Sequence, residues 1–86
     1  CIAPALVALA LSGRTHAELT LGTDPGCAAA VQQLGHEHHP APTARDIVID
    51  EARKLVTTPA YMFDDARVSD VFTGIERCVT EVLKRV

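Results

Sequence analysis

Three cysteines, four histidines and a scatter of carboxylates are the groups in this 86-residue chain that can do chemistry. Cys1 stands first and is followed by Ile2-Ala3-Pro4. A proline three residues after the cysteine suits the first turn of a helix, where its missing N–H costs nothing. A thiol at the start of a helix feels the positive end of the helix dipole, which favours thiolate over thiol. Together these give the pattern of a nucleophilic cysteine on a strand-to-helix elbow. The competing reading is a cysteine that is merely buried or terminal. A lipid-anchored cysteine is disfavoured, because such anchors are followed by a polar tether and here the helix begins at once.

Cys27 and Cys78 read as small apolar fillers on helices. An odd cysteine count with these spacings forms neither a disulfide framework nor a zinc knuckle, which fits a reducing, cytoplasmic compartment. The run Gly35-His36-Glu37-His38-His39-Pro40 gathers possible metal ligands. It falls in an expected loop, without helical i, i+4 spacing and without a matching distant ligand cluster. Surface histidines are the better reading, and no metal is expected. Glu18 reads as solvated, Asp50 and Glu51 as turn residues, and Tyr61 and Phe63 as core or subunit contacts.

The elements that must position these groups follow from apolar spacing and from turn chemistry. Ile2, Leu6, Val7 and Leu11 recur at helical spacing, and Ser12-Gly13 stops that helix. Ala17 to Leu21 alternates and reads as a short strand. Thr23 or Asp24 caps a helix from Cys27 to Leu34, with Pro25 at its first position and Gly35 at its end. His36 to Arg45 reads as a polar connection. Ile47–Ile49 and Lys54–Thr57 form a β-hairpin about a turn at Asp50–Arg53. Asp64 or Asp65 caps the longest helix, Ala66 to about Arg85. Its stripe of Val68, Val71, Phe72, Ile75, Val79, Val82 and Leu83 calls for a wide packing partner such as a sheet face.

Composition sets bounds on this reading. The chain makes at most one small domain, and a chain of this size buries about 60–65% of its unfolded surface. Its 48% hydrophobic residues suffice for a core. A net charge of −3 and scattered lysines and arginines give nucleic acid nothing to bind. No apolar run reaches the ~20 residues of a membrane span, and no basic segment precedes Ile2–Leu11 to make it a signal peptide. The strand that an elbow needs ahead of Cys1 is absent, as is an initiator methionine. The chain is therefore expected to be the back part of a larger domain.

Cys1-Ile2-Ala3-Pro4-Ala5, Leu19-Thr20-Leu21-Gly22-Thr23-Asp24, Ile47-Val48-Ile49-Asp50 and Val56-Thr57-Thr58-Pro59-Ala60-Tyr61-Met62 resemble the ElbB family. These are the enhancing lycopene biosynthesis, or isoprenoid biosynthesis, proteins with an amidotransferase-like domain. They sit within the PfpI-like, class I glutamine-amidotransferase-like superfamily. The resemblance implies an α/β fold, in which residues 1–86 form the C-terminal part of a flavodoxin-like three-layer sandwich closed by the hairpin and a long C-terminal helix. It places Cys1 at the nucleophile elbow and marks His38 as a site residue, an acid/base or a polar orienter. Ile2, Thr57, Thr58 and Pro59 would line the substrate pocket.

The implied activity is of glyoxalase III type, the cofactor-free conversion of small reactive carbonyls to 2-hydroxy acids. A non-catalytic binding or redox-sensing role in the same fold is the alternative. Many superfamily hydrolases carry a histidine directly after the cysteine; here Ile2 occupies that place, so glutamine amidotransfer is not expected. The resemblance further implies a homodimer.

Overall fold

The computed structural model describes residues 2–86, so Cys1, and the elbow reading placed on it, lies outside the described residues. The chain runs as helix α1 (Ala3–Leu11), strand β1 (Glu18–Leu19), helix α2 (Pro25–Gln33), strand β2 (Glu37–His38), strands β3 (Val48–Asp50) and β4 (Leu55–Thr57), a 3₁₀ turn (Ala60–Met62) and helix α3 (Val68–Leu83). β1 and β2 pair in parallel, with Glu18 opposite Glu37 and Leu19 opposite His38. β3 and β4 form the expected antiparallel hairpin, with Val48 opposite Thr57 and Asp50 opposite Leu55.

The helix ends follow the sequence closely. Pro4 sits in the first turn of α1, and Gly13 takes a positive φ just beyond its end. Asp24 caps α2 by accepting the Cys27 amide at 2.9 Å, and Pro25 opens the helix. The hairpin turn is an Asx type: the Asp50 carboxylate accepts the Arg53 amide at 3.1 Å, and Lys54 takes the left-handed conformation that closes the turn.

Three expectations need correction. The stretch His36–Arg45 is not wholly a loop, because Glu37 and His38 form β2. Such a strand leaves no hydrophobic alternation to read; it forms because the Ala17 and Leu19 carbonyls accept the Glu37 and His39 amides, each at 2.9 Å. The last helix starts at Val68 rather than Ala66, with Arg67 at the cap position and no side-chain cap, so neither Asp64 nor Asp65 caps it. Third, the apolar stripe of α3 is only partly covered. Val71 and Gly74 are buried, whereas Val68 is 74% and Phe72 62% exposed, and Ile75, Val79, Val82 and Leu83 also face solvent.

The core is correspondingly small and divided. Ala8 of α1, Leu19, Leu21 and Val31 of α2 form one buried cluster, against which Cys27, Leu34, Leu55 and Met62 pack. Ala44, Ala60 and Val71 form a second, flanked by Phe63 and Ala66. Gly74 brings α3 against the second cluster. A Cβ there would strike the Ala44 carbonyl and stand 2.8 Å from Thr58 Oγ1. Arg85 pins the other end of the helix to the hairpin turn through a two-pronged pair with Glu51, at 2.6 and 2.8 Å.

Candidate functional site: a side-chain-laced strand beside an apolar groove

The segment from Ala17 to Gly22 holds the site together. Ala17, Leu19, Thr20 and Leu21 are fully or almost fully buried, so each backbone N–H there needs an acceptor. Side chains supply most of them. Ala17 donates to His36 Nδ1 at 3.0 Å, Glu18 to Asp50 Oδ2 at 2.8 Å, and Thr20 to Thr57 Oγ1 at 3.0 Å. Leu21 donates to His38 Nε2 and Gly22 to Thr20 Oγ1, both at 3.0 Å. Five amides in six residues thus end on side chains instead of on the backbone carbonyls of a neighbouring strand. This explains why the Ala17–Leu21 strand read from the alternation narrows to the two paired residues of β1.

Each of these acceptors has a definite state. His36 is buried and, with Nδ1 accepting from Ala17, carries its proton on Nε2, which donates to the Ala8 carbonyl at 2.7 Å. It satisfies one of the orphan carbonyls at the end of α1 and ties that helix to β1. The surface reading of His36 is therefore wrong: it is a core histidine. Asp50 is also buried rather than a plain turn residue. Burial alone would raise its pKa, but the Glu18 and Arg53 amides and the Arg53 guanidinium outweigh it and hold the carboxyl below its ordinary value. His38 is half-buried; burial, and then the charge of neighbouring His39, hold its pKa below that of an ordinary histidine. With Nε2 accepting from Leu21, the neutral ring carries its proton on Nδ1.

Beside this segment lies an apolar groove of about 260 Å³. Its walls are the first turns of α1 (Ala3, Pro4, Val7), the end of the hairpin (Leu55 to Thr58 and Ala60), and Ile75 and Cys78 of α3. Ala60 holds a left-handed φ of +48° on this wall, a conformation that costs a non-glycine residue roughly 1–2 kcal/mol.

The structure brings Thr57 and Thr58 to the groove, next to the helix that follows Cys1. Their hydroxyls are already engaged: Thr57 Oγ1 accepts from Thr20, and Thr58 Oγ1 donates to the Asp46 carbonyl at 2.8 Å. Pro59 is buried behind the groove, where its ring packs against Gly22. Ile2 is exposed at the α1 cap position, and His38 is not among the groove walls.

Two cysteines are described, both as free thiols, and both have raised pKa values. The Asp24 carboxylate, hydrogen-bonded to the thiol, is the main cause at Cys27, with burial second. At Cys78 burial dominates, against the opposing charge of Arg77. Cys27 sits in the first turn of α2, yet the acidic cap overrides the helix dipole there, so neither of these thiols is primed as a nucleophile.

Glu18 is not a lone solvated carboxylate. Its Oε1 lies 2.9 Å from His39 Nε2, and Glu37 Oε2 lies 3.6 Å from the same nitrogen. The histidine run therefore does have a distant ligand partner, delivered by the parallel pairing of β1 and β2. Sequence spacing gives no sign of this, because the partner comes from 21 residues away in the chain.

This α/β arrangement is the fold of the amidotransferase-like proteins. A crystal structure of an isoprenoid biosynthesis protein with an amidotransferase-like domain from Ehrlichia chaffeensis superposes on all of this chain with a TM-score of 0.84 at 22% identity. By sequence, the chain is 33% identical over 96 residues to the human glutamine amidotransferase-like class 1 domain-containing protein 3, mitochondrial, a match that takes in 98% of the chain. No protein-family profile matches. Both relatives fall in the group that the sequence motifs resemble, so that resemblance holds. The chain spans 33% of the human protein and 37% of the Ehrlichia one, about a third of each. No helix among the described residues is long and apolar enough to cross a membrane.

Proposed function

We propose that residues 1–86 serve as the C-terminal portion of an amidotransferase-like domain in which Cys1 is the nucleophile of a cofactor-free reaction on small reactive carbonyls. The observation that carries this reading is the groove, one wall of which is the first turns of the helix that directly follows Cys1. In the reaction, the thiolate adds to the aldehyde carbon of a glyoxal and the carbonyl oxygen takes up a proton, giving a hemithioacetal. A base then moves the proton from that carbon to the neighbouring one. Water cleaves the resulting thioester, releasing a 2-hydroxy acid and the free thiol.

Of the roles considered for His38, a hydrogen-bond donor through Nδ1 fits its bonding, since its Nε2 lone pair is held by Leu21. Thr57 and Thr58 offer the substrate shape and methyl contact, their hydroxyls being engaged elsewhere. Ile2 and Pro59 lie off the groove walls and take no part in this reading. Cover for the exposed apolar residues of α1 and α3 would come from the rest of the domain and from a second copy in a homodimer.

The test is glyoxal consumption by the full-length protein before and after Cys1→Ser. The reading requires turnover to fall to the rate in buffer, and an unchanged rate refutes it. One observation favours a second reading, reversible oxidation of Cys1 in a sensor without turnover: the groove walls carry no carboxylate or histidine to act as base. Trapping of a sulfenic acid on Cys1 after peroxide, in a protein that does not consume glyoxals, would select that reading.

A further inference from the structure

We propose that Glu18, Glu37 and His39 form a binding site for a divalent transition metal ion such as Zn²⁺, separate from the groove. The three ligand atoms all lie within 4.8 Å of one another. Two ligands held about 2.1 Å from a tetrahedral ion stand about 3.4 Å apart. His39 Nε2 lies 2.9 Å from Glu18 Oε1 and 3.6 Å from Glu37 Oε2, close to either side of that spacing. An ion therefore needs only small side-chain shifts to enter between them.

The electrostatics point the same way. Glu18 and Glu37 are directly opposite on paired strands, where like charges repel. No lysine or arginine among the described residues pairs with either; the only partner of both is the His39 ring. The two carboxylates present two negative charges, which a divalent ion balances. Mixed oxygen and imidazole ligation suits zinc and its neighbours better than calcium or magnesium.

The backbone under the site is fixed. The Glu37 and His39 amides are held by the Ala17 and Leu19 carbonyls, and the Glu18 amide by Asp50. Ligands carried on paired strands are held in place before the ion arrives. The three side chains are partly exposed, so an ion can reach them and at least one coordination position stays open to solvent or to a bound molecule.

The test is titration of the full protein with Zn²⁺, read by long-range ¹H–¹⁵N NMR of the histidine rings and by calorimetry. The expected result is one equivalent bound, with the His39 Nε2 resonance moving and those of His36 and His38 staying still. His39→Ala and Glu18→Gln should each weaken binding by at least the roughly tenfold that loss of even an outer-shell partner costs. Cys27→Ser and Cys78→Ser should leave binding unchanged. Binding of equal strength in His39→Ala, a His39 ring unmoved at one equivalent, or loss of binding in a cysteine variant would overturn the proposal. So would absence of binding at millimolar Zn²⁺. The NMR reading needs no variant, so a misfolded mutant does not blunt the test.

Discussion

The segment Ala17–Gly22 and the helix α3 solve opposite problems. The first is a short alternating run, yet it is buried almost completely and its polar backbone is satisfied by His36, Asp50, Thr57, His38 and Thr20. The second carries the strongest apolar stripe in the chain, yet within these residues it buries little beyond Val71 and Gly74. Amphipathic strength therefore says that a face wants cover, not that this segment supplies it. Polar side chains that look available for chemistry can be wholly engaged in holding a strand.

The contrast can be broken most forcefully at His36. His36→Ala leaves the Ala17 N–H and the Ala8 carbonyl unpaired in the core, at about 1–3 kcal/mol each, and adds a cavity. A loss of about 3–5 kcal/mol in denaturant unfolding is expected, a large share of the stability of any small domain. Thr57→Val orphans only the Thr20 amide and should cost about 1–3 kcal/mol, while Thr57→Ser, which keeps the acceptor, should stay close to wild type. On the α3 side, Gly74→Ala gains about 1 kcal/mol of helix propensity but drives a methyl into the Ala44 carbonyl. Overpacking of about 1–3 kcal/mol should win and give a net destabilisation.

Acid should dissect the laced segment in two steps. The folded pKa of His38 is lowered, so its contribution is full above the unfolded value of about 6.5 and declines as pH falls below it. Asp50 is lowered as well, so its contribution is present above an unfolded value of about 3.9 and lost as pH falls through the folded pKa. Thermal melts across pH should show both losses, with the second removed in Asp50→Asn. The smallest effect is expected from Glu51→Gln, which breaks the exposed Arg85 pair; its shift should fade as salt is added.

Much of the fold was legible because it rests on local chemistry. Asp24-Pro25 starts a helix, Gly13 and Gly35 lie just past helix ends, and short apolar, β-branched runs flank a turn at Asp50. β2 was not legible, since a polar pair such as Glu37-His38 becomes a strand only when the carbonyls of β1 recruit it. Nor was the start of α3, because Arg67 takes the cap position without a capping side chain. At the site, motif resemblance marked Ile2, Thr57, Thr58 and Pro59 as pocket residues, and only Thr57 and Thr58 lie on the groove walls. The engagement of His38 and the pairing of Glu18 with His39 depend on contacts made across 17 and 21 residues, which no local pattern encodes.

Alkylation of Cys1, Cys27 and Cys78 against pH, followed peptide by peptide by mass spectrometry in the full-length protein, tests the central claim most directly. The account predicts that Cys1 reacts with a midpoint well below the free-thiol value of about 8.5, while Cys27 and Cys78 react above it. A Cys1 that titrates with or above the other two would contradict the thiolate nucleophile proposed for it.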